Sequence, residues 1–405
     1  MIDYPNKLNL IFDKLIKKAK KIIIVGGYVR DSILHINSKD IDIEVYGINT
    51  FNELEKILKE FGEVNSVGKS FGVCKLNYKN LDLDFSLPRR DNKVSPGYTG
   101  FDIEIDSSLD FKTAALRRDF TINAIGFDVI KKEILDPFNG ISDLKNKILR
   151  AVNNTSFIED PLRILRAMQF CARFELKIDN NLLILCKDMI KEGMLNELPQ
   201  ERIYGEFKKL FLKSKKPSLG LNFLIQIDAT KYFPYFNHKI DSITKSLKYD
   251  DKTNMVLVFT LLCYSHDLKE VQDFIINFTN DTKLIDRVLK LLKNLPITDK
   301  NILDDYTIYK LAFDIKISEL LVVSKIIFGD IYNLEIRSKE LNVLTKGLKP
   351  LIQGRDLLEL GMKPSKEFSK ILNDIYDAQM KAKFTSYEGA IKYLKSNHLQ
   401  LSSDL

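Results

Sequence analysis

The apolar positions change period along the chain. Leu8, Ile11, Phe12, Leu15 and Ile16 fall at helical spacing and predict an opening helix over 7–20. "KIIIV" at 21–25 reads as a buried strand, and alternation of apolar with polar residues predicts half-buried strands over 40–46, 71–77 and 80–86. From about residue 140 helical periodicity runs to the end, with breaks near "KKPSLG", "NLPITDK" and "LKPLIQG". The expected class is α+β: a mixed head with a small sheet, then an all-helical remainder.

The strand pattern brings chemistry with it. Side chains two apart share a strand face, so Asp40 and Asp42 lie side by side while Ile41, Ile43 and Val45 pack on the other face. Two neighbouring carboxylates repel, and such a pair at a strand end calls for a cation; two carboxylates with open positions suit Mg²⁺, which keeps room for substrate phosphates. A solvated strand face explains the same spacing. Gly26 and Gly27 end the preceding strand and let backbone approach a ligand, and Arg30 follows, so a triphosphate would be embraced from both ends; an ordinary strand-to-helix turn is the plainer reading. Asp82 and Asp84 also share a face, and one of them would complete a three-carboxylate site for in-line phosphoryl displacement. Further on, Asp160 and Arg163 lie three apart on one helical face with Arg166 a turn beyond. A carboxylate beside a guanidinium offers an acceptor and donors to the Watson–Crick edge of a base, or simply forms a helix salt bridge.

Composition narrows the class without adding a site. The 405 residues are 45% hydrophobic and 29% charged, as in an ordinary globular protein. The longest apolar run, "MVLVFTLLCY", is too short for a bilayer span and no leader pattern opens the chain, so no membrane partner and a cytoplasmic location are expected. Cys74, Cys171, Cys186 and Cys263 form no close pair and only four histidines occur, which argues against zinc and disulfide frameworks. The formal charge of +7 is compatible with a polyanionic partner; Lys208, Lys209, Lys213, Lys215 and Lys216 could meet the phosphates of such a partner or form a solvated helix face.

"GGYVRD" with "DIDIEV", then "LRRDFTINAIGFD", "ILDPFNGISDLKNKILRAV", "EDPLRILRAMQFCARF" and "LPQERIYGEF" resemble, in order, the motifs of the tRNA nucleotidyltransferase and bacterial poly(A) polymerase family, eubacterial and eukaryotic class. The resemblance covers roughly 20–210, and "PLIQGRDLLELGMKPSKEFSKILNDIYDAQ" is similar to the tail of CCA-adding members. It implies a polymerase-beta-like nucleotidyltransferase head over 1–140, a neck with the base-selecting helix over 141–210, a body over 211–295 and a tRNA-binding tail over 296–405. It also implies template-independent addition of CCA to tRNA 3′ ends from CTP and ATP, with the acceptor stem and 3′ end as partner. On that resemblance Gly26, Gly27 and Arg30 hold the triphosphate, Asp40 and Asp42 bind Mg²⁺, and Asp84 is favoured over Asp82 as third carboxylate. Arg118 and Asp119 contact phosphate and ribose with Asn123 nearby, and Asp160 and Arg163, with Arg166, select the base. Gln169 stands where many members carry arginine, which leaves one phosphate contact open. The loop around Pro96 and Gly100 is expected to help switch from CTP to ATP. Addition of CC alone, of A alone or of a poly(A) tail, and a non-catalytic RNA-binding protein, are the competing readings. Relatives with a His-Asp hydrolase domain draw attention to His266 and Asp267, which too few histidines accompany. Oligomeric state is not encoded in these patterns.

Overall fold

The computed structural model describes residues 2–65, 72–93, 101–235, 239–245, 247–299, 303–329 and 331–399. The chain forms two compact units, residues 1–245 and 246–405.

In the first unit, α1 (Asn9–Leu15) leads into β1 (Lys21–Val25), α2 (Gly27–Ile33), β2 (Asp40–Tyr46), α3 (Phe51–Leu58), β3 (Val64–Asn65), β4 (Val73–Tyr78) and β5 (Leu81–Ser86). A hairpin of β6 (Arg89–Lys93) and β7 (Phe101–Ile105) follows, then α4 (Phe111–Ala115), β8 (Gly126–Asp128), β9 (Glu133–Leu135) and α5 (Gly140–Asn146). Next come β10 (Ile148–Leu149), α6 (Asn154–Ile158), α7 (Leu162–Phe174) and β11 (Lys177–Ile178). The unit ends with α8 (Asn180–Lys191), α9 (Gln200–Lys213), α10 (Pro217–Gln226) and α11 (Ile240–Lys245).

Seven strands form one mixed sheet in the order β3-β4-β5-β2-β1-β8-β9, with β2 and β5 parallel and the other neighbours antiparallel. β1 falls on the expected apolar run and β2 where alternation places it, and both faces of β1 are buried from Ile22 to Val25. On one face Ile23, Val25 and Tyr46 pack with Leu109 and with Phe111, Ala114 and Ala115 of α4. On the other, Phe127 of β8 meets Tyr4, which stacks edge-on against Phe12 of α1. Because α4 covers only the Tyr46 end of its face, Asp40 and Asp42 at the other end of β2 stay open to solvent.

The segment expected to be a loop around Pro96 and Gly100 begins and ends as the β6–β7 hairpin. "FDIEI" carries the alternation a strand needs, but the polar residues around it mask the signal. Pro96 and Gly100 lie outside the described residues. Helices do take over from residue 140, apart from the two-residue parallel pairing of β10 with β11. "KKPSLG" is a helix start rather than a gap, since Pro217 occupies the first turn of α10, where its missing N–H costs nothing.

The second unit is helical from Asp251–Cys263 to Tyr387–Leu394. Every residue from Thr253 to Cys263 is buried, so "MVLVFTLLCY" is a core helix without an amphipathic face. A second cluster gathers Ile352, Leu357, Ile371, Ile375 and Leu394 from the tail. No helix among the described residues is long and apolar enough to cross a membrane.

Two glycines give opposite tests of packing. A Cβ on Gly140 would lie 2.2 Å from the carbonyl oxygen of Thr121, in the turn that carries Asn123, whereas one on Gly205 within α9 would meet nothing within 4 Å. Gly140→Ala is expected to cost about 1–3 kcal/mol or more through overpacking, and Gly205→Ala to gain roughly 0.5–1 kcal/mol by restricting the unfolded chain. Urea unfolding of the two variants should move in opposite directions from the parent.

Candidate functional site

The sheet register decides which acids meet. Val25, the last residue of β1, lies opposite Asp42 across the antiparallel pair. On the other side of β2 the parallel register sets Asp42 beside Asp84 and Asp40 beside Asp82. The chain leaves β1 through Gly26, whose φ of +70° a side chain would strain. A Cβ there would also lie 3.0 Å from Arg118 Nη1 and 3.5 Å from Asp42 Oδ2, so the bare backbone is what lets these two groups approach. Gly27 then starts α2.

A cavity of about 520 Å³ opens above this junction, lined by Gly26, Gly27, Arg30, Asp40, Asp42, Arg118, Asp119, Asn123, Asp160, Arg163 and Arg166. All of the expected site residues except Asp84 thus meet on one recess. Asp84 and Asp82 line an adjoining cavity of about 850 Å³, which Asp40 and Asp42 also border. Lys75 Nζ donates to Asp84 Oδ2 at 3.0 Å, and Asn77 donates to Asp82 at 3.0 Å.

The cations around the recess are held by buried partners. Arg30 gives Nε and Nη2 to Asp31 at 2.8 and 2.6 Å and Nη1 to Asn123 Oδ1 at 2.5 Å, with its guanidinium over the rings of Phe170 and Phe174. Burial lowers its pKa, an effect that Asp31 opposes. Asn123 donates to Asp119 at 3.0 Å, and Asp119 accepts from Arg166 Nε at 2.6 Å. Burial alone would raise Asp119, but Arg166, Asn123 and Arg163 outweigh it and hold the carboxyl below its usual range. Helix α2 is thereby tied to α7 through Asp31, Arg30, Asn123, Asp119 and Arg166.

Arg163 does not form the helix salt bridge with Asp160. Its Nη1 donates to the Ser156 carbonyl at 2.8 Å and its Nη2 to the Arg117 carbonyl at 2.6 Å, while Asp160 Oδ1 accepts from the Leu162 N–H at 3.1 Å. Both side chains still line the recess. Gln169 lines it too; it is 1% exposed, and its Oε1 has no hydrogen-bond partner among the described residues. One turn beyond, Arg173 places a guanidinium on the same wall, 3.8 Å from Asp31. Arg202, Lys209 and Lys213 line the recess from α9, with Lys209 donating to Glu206 Oε1 at 2.7 Å, and Lys216 pairs with Glu175.

Asp42 keeps solvent contact but is crowded by protein and acids. Loss of surrounding water raises its pKa, Arg118 pulls it down, and Asp84, Glu44 and Asp40 push it up again, with a net rise. Among the described residues no three histidine, cysteine or acidic side chains form a ready-made metal cage. The Asp40 and Asp42 pair fits a hard divalent cation that takes its remaining oxygens from phosphate and water, and the crowding of negative charge around Asp42 favours one.

Spacing arguments missed Glu44, Arg117 and Arg173. Glu44 shares the parity of Asp40 and Asp42, which was the available signal, but its burial depends on α4 and on two arginines distant in sequence. His266 and Asp267 have no part in the recess: Asp267 caps a helix by accepting from the Lys269 N–H at 2.8 Å. The four cysteines are buried and none of them forms a disulfide.

Residues 22–150 match the Poly A polymerase head domain, and residues 247–393 match tRNA nucleotidyltransferase domain 2. A multifunctional CCA protein of Aliivibrio salmonicida is 37% identical over 212 residues, 52% of this chain and 49% of that protein. A CCA-adding enzyme of Francisella tularensis is 35% identical over 214 residues, 52% of this chain and 56% of that protein. The chain spans about half the length of these curated relatives. The Bacillus stearothermophilus CCA-adding enzyme in complex with CTP shares the fold with a TM-score of 0.72 at 19% identity, covering 98% of this chain and 100% of that one. A CCA-adding enzyme complexed with ATP gives 0.69 at 25% identity, with 97% and 96% covered. The Thermotoga maritima CCA-adding enzyme complexed with tRNA gives 0.65 at 24%, with 98% and 96% covered. With motifs, sheet and both matched segments in agreement, the chain carries a Poly A polymerase head domain over 22–150 and a tRNA nucleotidyltransferase domain 2 over 247–393.

Proposed function

We propose that the protein adds CCA to the 3′ end of tRNA without a nucleic-acid template, using CTP and ATP and releasing pyrophosphate. One observation carries the reading: an acid pair, a row of arginines and the Asp160–Arg163 pair line a single recess of about 520 Å³, a volume suited to a small ligand. The names of the relatives and neighbours, which include complexes with CTP, ATP and tRNA, support it. The assignment of head, neck, body and tail to 1–140, 141–210, 211–295 and 296–405 belongs to the same proposal.

In this reading Asp40 and Asp42 would hold a divalent cation, Mg²⁺, which when bound would supply charge neutralisation at the phosphates, while the terminal 3′-hydroxyl attacks the α-phosphate and pyrophosphate leaves. The Gly26–Gly27 backbone admits the triphosphate, and Arg118 offers it N–H donors beside the acid pair. Arg30 adds positive charge from beneath, with three of its N–H groups committed to Asp31 and Asn123. Asp119 and Asn123 face the ribose. Asp160 supplies an acceptor and Arg163 donors to the amino group and ring nitrogen of cytosine or adenine. Arg173 takes up part of the charge that the family arginine missing at Gln169 would carry. Asp84 stands beside Asp42 as the third carboxylate. Arg202, Lys209 and Lys213 line the path of the RNA 3′ end.

The direct test presents tRNA transcripts ending before CCA, after C and after CC with CTP, ATP or both. Stepwise completion of all three is expected; extension by CC only, A only or repeated A would replace the proposal with a partial or tailing activity. Asp40→Asn and Asp42→Asn should abolish addition while tRNA affinity stays within a few-fold, because stem and phosphate contacts lie elsewhere; near-normal turnover in both would refute the cation site. In Arg163→Ala the loss of donors should relax rejection of UTP and GTP, read as the ratio of kcat/KM values for right and wrong nucleotides. Undiminished rejection with only a lower Tm would assign Arg163 to holding the Ser156 and Arg117 carbonyls. The affinity for tRNA should fall with salt at a log–log slope of roughly −0.7 to −0.9 per neutralised phosphate, and Lys213→Ala should flatten that slope by about one contact; an unchanged slope would remove Lys213 from the RNA path.

A further inference from the structure

Glu44 has no part in the chemistry proposed above, yet it occupies the next position on the face that carries Asp40 and Asp42. It is fully buried. Its Oε1 accepts from Arg117 Nη2 at 2.7 Å and from Arg118 Nη2 at 2.9 Å, and its Oε2 accepts from the Tyr46 hydroxyl at 3.0 Å. An apolar residue would fill this place in the sheet without desolvating a charge, so the carboxylate calls for a reason beyond packing.

That reason lies at the other end of Arg118. Its Nη1 donates to the Asn123 carbonyl at 3.2 Å and flanks Gly26, and Asp42 Oδ2 flanks the same glycine. The guanidinium therefore has two carboxylates in its neighbourhood, and among the described residues its hydrogen bonds go to Glu44 and Asn123, not to Asp42. A guanidinium closed on Asp42 would use the oxygen lone pairs and the charge that a divalent cation needs.

We propose that Glu44 is a positioning residue that holds Arg118 off Asp42, keeping Asp42 open to the cation and turning the free side of Arg118 to the nucleotide. The inference deepens the proposed function and rests on it for Asp42 as a cation ligand. Glu44 cancels one of the two arginine charges and leaves the other facing the recess. Through Arg117 it also steadies the carbonyl on which Arg163 rests.

The test is Mn²⁺ binding to the full chain without nucleotide, followed by the electron paramagnetic resonance of free Mn²⁺. Glu44→Gln should bind Mn²⁺ at least tenfold more weakly than the parent, with circular dichroism unchanged. Adding Arg118→Ala to that variant should restore affinity to the parent level or beyond, although nucleotide addition stays low. Parent-like affinity in Glu44→Gln, or a double variant that binds as poorly as the single one, would overturn the inference. Parent-like affinity in Asp42→Asn would instead overturn the cation site itself, and this inference with it. Should Glu44→Gln not fold, Glu44→Asp, which keeps the charge but pulls it back by one methylene, should bind Mn²⁺ several-fold more weakly and be rescued by Arg118→Ala; parent-like affinity there would count against the proposal equally.

Discussion

The register among β1, β2 and β5 is the constraint on which the rest depends. Antiparallel pairing sets the end of β1 against Asp42, and parallel pairing sets Asp84 on its other side. A slip of one residue would turn Ile41, Ile43 and Val45 to the recess and bury three acids among aliphatic side chains. The apolar face of β2 thus enforces the position of the charged one. Gly26 completes the arrangement by letting Arg118 and Asp42 approach the same point.

Charge in the recess is ordered rather than merely accumulated. Asp31 and Asn123 hold Arg30, Asp119 holds Arg166, and Glu44 holds Arg117 and Arg118, each through short hydrogen bonds. Fixed in this way, the arginines present a standing positive field that does not need to reorganise when a polyanionic ligand enters. Asp40 and Asp42 are the acids left open at the centre. The adjoining cavity extends the acidic side toward Asp82 and Asp84, where Lys75 and Asn77 restrain the side chains.

Much of this was legible in the sequence, and what was not has physical reasons. The strands at 21–25 and 40–46 were readable because one is apolar from Ile22 to Val25 and the other alternates from Asp40 to Val45. The grouping of Arg118, Asp119, Asn123, Asp160, Arg163 and Arg166 came from ordered motifs, since spacing alone does not bring residue 118 to residue 166. Glu44 shares the parity of Asp42, but spacing does not mark it, because its partners Arg117 and Arg118 come from a different segment. Helical spacing suggested a side-chain pair for Asp160 and Arg163, but backbone carbonyls at Ser156 and Arg117 offer Arg163 nearer acceptors. The β6–β7 hairpin was hidden by its polar composition.

The central claim is that one recess orients a nucleoside triphosphate, with phosphates toward Asp40 and Asp42 and base toward Asp160 and Arg163. A crystal of the protein grown with CTP and Mn²⁺ tests it most directly, through the anomalous scattering of manganese and the density of the base. The account predicts a manganese peak at Asp40 and Asp42, with the cytosine edge against Asp160 and Arg163. A peak at other residues, or a base bound away from α7, would contradict it.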